Sequence, residues 1–190
     1  MNSSIFALYA ACKIVKRHFC IGSVAVDILR KHGHSIAVAE SCTGGLVMSA
    51  LVAVAGCSDV VLEGICTYSN TAKVARIGVQ HKLISNFGAV SPQVAAAMAR
   101  GVAITSGASV GVATTGIAGP GGGTIAKPVG LVYVAVYTGG RTYVKKLQLV
   151  GGRNSVRIAA ARHALKYMCQ IVEPTLPQMQ NMYYNVAVRK

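Results

Sequence analysis

The sequence predicts an α/β fold: a three-layer α/β/α sandwich with a mixed sheet. Three observations predict it. Short apolar runs at 36–39 and 110–114 read as buried strands, each set between helical patterns. Residues 129–137 and 142–150 read as a hairpin about Gly139-Gly140. A helix to about residue 171 then closes the pattern. Helical crossovers join parallel strands, whereas a hairpin joins antiparallel ones, so the sheet must be mixed.

Taken in order, residues 5–31 look helical, with a break at Ile21-Gly22-Ser23. Val24, Ile28 and Leu29 form an apolar stripe before His32-Gly33 ends the helix. Strand 36–39 leads through a polar turn into helix 46–54. A second strand is expected at 64–69, where Ile65, Thr67 and Tyr68 favour extended backbone. Asn70 or Thr71 then caps a short helix carrying Lys73 and Arg76. Ser91-Pro92 is a helix start, with Ser as N-cap and Pro at the first position. After the hairpin, Asn154 is the expected cap of the last helix. The expected organisation is a helical extension over 1–23, a domain over 24–173 and a tail over 174–190.

Of 190 residues, 53% are hydrophobic, enough for one domain with a substantial core. The net charge of +14 reflects 5 acidic against 19 basic residues, a balance that favours anionic partners. So few acids exclude a carboxylate-rich metal site or a two-carboxylate glycosidase. The 6 cysteines form no CxxC pair, so zinc spacing is absent and small buried thiols in a reducing compartment are expected. No histidine has ligand spacing; neither metal nor cofactor is expected. Residues 5–12 are apolar, but their charges follow rather than precede them, the reverse of a secretory signal. Residues 41–58 are uncharged, yet their glycines and the flanking Glu40 and Asp59 favour a turn and helix over a membrane span. The chain reads as soluble and cytoplasmic.

Four stretches carry polar chemistry. The first is Glu40-Ser41-Cys42-Thr43-Gly44-Gly45, at a strand-to-helix turn. Ser41 there is a helix cap by residue type, or a nucleophile beside the unpaired N–H groups of a helix start. Cys42 is the rival nucleophile. Glu40 orients the site, binds ribose hydroxyls, or is a solvated strand-end acid. The second stretch is Thr67-Tyr68-Ser69-Asn70-Thr71-Ala72-Lys73. Taken singly, Lys73 reads as a surface lysine and Tyr68 as a packed strand residue. The third runs from Thr115-Gly116 through Gly119-Pro120-Gly121-Gly122-Gly123 to Lys127-Pro128-Val129-Gly130. Its backbone N–H groups can approach a phosphate or sugar, but it lacks both P-loop and dinucleotide spacing. Thr114 and Thr115 offer hydroxyls or simply finish a strand. The fourth is Gly152-Arg153-Asn154-Ser155-Val156-Arg157, where Arg153 is a phosphate ligand or a solvated side chain.

Together, and in this order, these stretches resemble the CinA C-terminal domain family, over roughly residues 24–171. The resemblance implies a nicotinamide-nucleotide amidohydrolase, which converts the carboxamide of nicotinamide mononucleotide to the acid and ammonia. It implies a serine nucleophile supported by lysine, without a metal. Those roles fall on Ser41 and Lys73, with Tyr68 nearby. Backbone N–H groups of Thr43, Gly44 and Gly45 are the expected oxyanion hole. Glu40, Thr43, Gly44, Gly45, Thr115, Gly116, Gly119, Gly121 and Arg153 are the expected substrate contacts, with Arg157 structural. The partner implied is a small-molecule nucleotide, and a homo-oligomer is expected. Ile125-Ala126 departs from the polar or acidic residues that members commonly carry before Lys-Pro. Two alternatives stand beside this reading. A nucleic-acid-binding role has the charge but no aromatic–basic interleaving, and a catalytically silent member would serve in assembly.

Overall fold

The computed structural model describes residues 16–173 and 184–185, with side chains from Ile21 to Glu173. Most of the expected extension and nearly all of the tail lie outside the described residues. The sheet is built outward from β1 (Ile36–Glu40), in which every residue is buried. β1 pairs in parallel with β2 (Val61–Cys66) on one side and β3 (Val110–Gly116) on the other. β3 continues antiparallel to β4 (Leu131–Thr138), β4 to β5 (Arg141–Gln148), and β5 to the two-residue β6 (Tyr184–Asn185). The order is β2-β1-β3-β4-β5-β6.

Alternating side chains of this sheet build two cores. Ile36, Val38, Val110, Val112, Val132 and Val134 face α1 (Lys16–Lys31), α2 (Leu46–Val52) and α6 (Arg153–Val172). Ala37, Ala39, Ala113 and Ala135 face α3 (Asn70–Ile77), α4 (His81–Phe87) and α5 (Pro92–Ser106). The result is a five-stranded mixed sheet, extended by β6, with helices on both sides. Small alanines on the second face let α5 settle close to the sheet. Large β-branched residues fill the first, each fully buried side chain contributing about 1.5–3 kcal/mol.

Several expected elements stand as predicted. Ser91 caps α5, accepting from Val94 N–H at 3.3 Å, with Pro92 first in the helix. The hairpin turns at Gly139 and Gly140, both with positive φ, which a two-residue turn of the right hand requires. Other elements differ. α1 runs unbroken through Gly22, whose missing side chain lets α2 approach: a Cβ there would lie 1.9 Å from Ala50 O. β2 starts and ends three residues earlier than expected, because Thr67 begins a turn and Ser69 caps α3, accepting from Ala72 N–H at 3.0 Å. α4 was not visible in the sequence. α6 begins at Arg153 after Gly152, so Asn154 lies inside the first turn and does not cap it. Residues 41–58 form a turn, the seven-residue α2 and a 3₁₀ turn, and no helix among the described residues is long and apolar enough to cross a membrane.

The chain leaves β1 for β2 on one side and returns to β3 on the other. The carboxyl ends of β1 and β3 therefore frame a crevice where strand order reverses, the customary ligand position in open α/β sheets. Gly22→Ala is expected to lower stability by about 2 kcal/mol or more by forcing α1 from α2. Gly121→Ala, whose Cβ would meet nothing within 4 Å, is expected to stay within about 0.5 kcal/mol in the same urea unfolding series.

Candidate active site

At the end of β1 the chain makes one further sheet contact, Ser41 N–H to Thr114 O at 3.0 Å, before turning into α2. The turn is held from below by Glu40. Its carboxylate is 1% exposed and accepts N–H groups from Gly45 (2.9 Å), Val47 (3.1 Å) and Met48 (2.9 Å). These donors have no intrahelical acceptor, and an anion at a helix start is favourable. Glu40 is therefore a buried cap: its oxygens face the protein rather than a ribose.

Lys73 projects from α3 into the same corner and is 1% exposed. Its Nζ lies 2.7 Å from Thr67 O, 3.1 Å from Tyr68 O and 3.2 Å from Ser41 Oγ. Burial pushes the Lys73 amine below the usual lysine range, with the neighbouring Cys42 acting the other way. As an ammonium, Nζ donates to all three oxygens; as a neutral amine, it gives its two N–H groups to the carbonyls and turns its lone pair to the Ser41 hydroxyl.

Cys42 points the other way, into the core under α2 and α6. Burial pushes its thiol up to about 12, so it stays protonated and unreactive. Thr43 is fully buried, with its Oγ1 2.7 Å from Thr114 Oγ1. Thr115 Oγ1 donates to Ala89 O at 2.8 Å. The hydroxyls of both expected substrate contacts are thus engaged within the protein. Gly45 N–H is likewise taken by Glu40 and drops out of the expected oxyanion hole. The Cys42 N–H is engaged by its own thiol, so Thr43 and Gly44 are the N–H donors of the expected oxyanion hole that remain.

The far wall is the loop from β3 to β4. Gly116 packs against β4, where a Cβ would lie 2.7 Å from Leu131 O, and Gly121 is exposed. Arg153, in the first turn of α6, donates to Gly119 O at 2.7 Å and to the Tyr68 hydroxyl at 3.3 Å. Tyr68 is 64% exposed rather than packed. Arg153 and Tyr68 thus bridge the second and third sequence motifs across the crevice. Arg157, one helical turn on, donates to Thr43 O at 3.0 Å and holds the turn that follows Ser41. The carbonyls of Thr67 and Tyr68 hold Lys73, a role that no side-chain pattern could reveal. Among the described residues, no three His, Cys, Asp or Glu side chains converge as a metal site requires.

The CinA C-terminal domain family matches residues 21–172, all but the two ends of the chain. The chain belongs to that family. A CinA-like protein of Kosmotoga olearia is 54% identical over 151 residues, 80% of this chain and 37% of that protein. A putative competence-damage inducible protein of Clostridioides difficile is 55% identical over 131 residues, 69% of this chain and 31% of that one. This CinA domain therefore spans about a third of the length of the curated relatives it matches. The crystal structure of the competence/damage inducible protein CihA from Agrobacterium tumefaciens superposes with TM-score 0.77 at 40% identity, covering 80% of this chain and 96% of that one. A CinA superfamily protein from Escherichia coli superposes with TM-score 0.80 at 30% identity, covering 90% and 99%. The layered mixed sheet is thus the CinA fold, and every polar side chain described above lies within the matched span.

Two measurements check this geometry. Glu40→Gln replaces one acceptor oxygen with a donor against helix N–H groups, and a loss of about 2 kcal/mol is expected in urea unfolding. At pH 8, iodoacetamide should label the exposed Cys66 and leave Cys42 unmodified by mass spectrometry until the protein is unfolded.

Proposed function

We propose that this CinA domain hydrolyses the carboxamide of nicotinamide mononucleotide, giving nicotinic acid mononucleotide and ammonia. The observation that carries the reading is the buried Lys73 amine 3.2 Å from Ser41 Oγ, with two backbone carbonyls as its other partners. The family resemblance supplies the substrate class. Neutral Lys73 takes the Ser41 proton as Oγ attacks the carboxamide carbon. The N–H groups of Thr43 and Gly44 face the developing oxyanion. The lysine ammonium returns the proton to the amide nitrogen, which leaves as ammonia. Water then attacks the Ser41 ester with Lys73 again as base. Arg153, Tyr68 and the glycine loop are suited to the nucleotide's phosphate and ribose. The same reading makes the protein a cytoplasmic, homo-oligomeric enzyme of pyridine nucleotide salvage.

Ammonia release from nicotinamide mononucleotide tests the assignment. Ser41→Ala should lower kcat/KM by about 10³-fold or more, the loss expected of a missing nucleophile, whereas Cys42→Ala should change it less than about threefold. Unchanged turnover in Ser41→Ala overturns the serine mechanism. The amine must be neutral to act, and burial lowers its pKa, so activity should rise with pH with a midpoint below the ordinary lysine value of 10.5. Lys73→Arg, charged at every accessible pH, should be inactive across the profile.

A further inference from the structure

Residues 117–130 leave β3 and return to β4 as a closed loop. At its neck Gly130 N–H donates to Ile117 O at 2.7 Å and Ile117 N–H to Leu131 O at 2.9 Å. Val129 fills its middle, at the place where a Cβ on Gly119 would lie 2.6 Å away. On one flank Arg153 grips Gly119 O. The other flank has its own attachment.

There Lys127 Nζ donates to Phe87 O at 2.6 Å. Between Gly121 and Pro128 every residue except Lys127 is exposed. Its backbone closes a tight turn, with Thr124 N–H on Lys127 O at 2.8 Å and Lys127 N–H on Thr124 Oγ1 at 3.0 Å. Phe87 is the last residue of α4, and a final-turn carbonyl lacks an intrahelical donor and favours a cation. The next residue, Gly88, has φ +74°, which favours glycine, and a Cβ there would lie 2.9 Å from the Lys127 amine and press on the tip of that side chain.

The receiving segment is itself tightly held. Gly88 O accepts from Ser91 Oγ, the cap of α5, at 2.8 Å. Ala89 O accepts from Thr115 Oγ1, at the end of β3, at 2.8 Å. Three successive carbonyls, 87 to 89, are therefore gripped by the loop, by α5 and by the sheet. Ile84 anchors α4 in the core shared with α5.

We propose that Lys127 is a positioning residue that clamps the glycine loop to the end of α4, opposite the Arg153 clamp, and so sets the loop for substrate binding. The substrate-binding part rests on the function proposed above; the clamp itself does not. A loop fixed at both flanks presents its N–H groups without an ordering cost on binding. Released at one flank, it must be ordered by the substrate, which raises KM and leaves the chemistry at Ser41 alone. A lysine that instead touched the substrate directly would leave the ligand-free loop unchanged when removed.

The test compares wild type, Lys127→Met, Lys127→Gln and Lys127→Arg in two ways. Hydrogen exchange followed by mass spectrometry on ligand-free protein should show residues 117–126 exchanging about tenfold faster in the Met and Gln variants, the weight of one charge-assisted hydrogen bond. Exchange in α6 should be unaltered, and the Arg variant should match wild type. With nicotinamide mononucleotide, KM should rise about tenfold while kcat stays within about twofold, again with rescue by Arg. Unchanged exchange at 117–126 in both neutral variants overturns the clamp even if KM rises. Faster exchange throughout the chain overturns it too, and so does a fall in kcat at constant KM. If wild type releases no ammonia, the amidohydrolase reading fails and exchange still decides the clamp. If it releases ammonia but the loop does not loosen, the clamp alone fails.

Discussion

The carboxylate of Glu40 is the contact on which the site depends. β1 delivers Ser41 to the sheet edge only if the chain can reverse at once into α2. That reversal leaves helix N–H groups facing the protein interior. Glu40, the last residue of β1, accepts three of them and is sealed from solvent. A carboxylate buried this way is tolerable because each of its oxygens is bonded to backbone donors. It leaves Ser41 at the mouth of the crevice while fixing the turn from beneath.

Around that turn the polar residues divide their labour. Thr43 with Thr114, Thr115 with Ala89, and Arg157 with Thr43 O spend their hydrogen bonds on shaping the crevice. Ser41, Lys73, Tyr68 and Arg153 face it. Residue type does not separate the two groups, since threonine and arginine serve as well in either. What separates them is where the partner lies: Ser41 with Lys73 and Arg153 with Tyr68 bond one another at the crevice itself.

The elements legible in the sequence were those in which one local force dominates. The apolar run of β1, the Ser91-Pro92 helix start and the double glycine of the hairpin each admit one reading. β2 was misplaced because it is an edge strand whose residues are alternately half-buried and exposed, so its ends carry no sharp apolar signal. α4 was missed because seven mixed residues with one buried side chain, Ile84, leave too little periodicity to detect. Ser41, Lys73 and Arg153 could be named from motif order. The capping role of Glu40 and the carbonyls that hold Lys73 could not, since both depend on where the backbone passes. Gly22 reads as a helix break in sequence because glycine lowers helix propensity; the packing of α2 against it outweighs that preference.

The parallel pairing of β1 with β3 has a consequence for the order of events during folding. Ser35 and Ser109, where that pairing begins, are 74 residues apart in the chain. The contacts that shape the crevice are also long-range, by unequal amounts: 32 residues separate Ser41 from Lys73, 85 separate Tyr68 from Arg153, and 114 separate Thr43 from Arg157. Each requires closing a long loop before any contact repays the entropy, and such topologies form slowly. No contiguous fragment shorter than most of the domain holds the whole crevice. The Ser41–Lys73 corner closes the shortest of these loops, and the crevice is complete only when α6 brings Arg153 and Arg157 back to Tyr68 and Thr43.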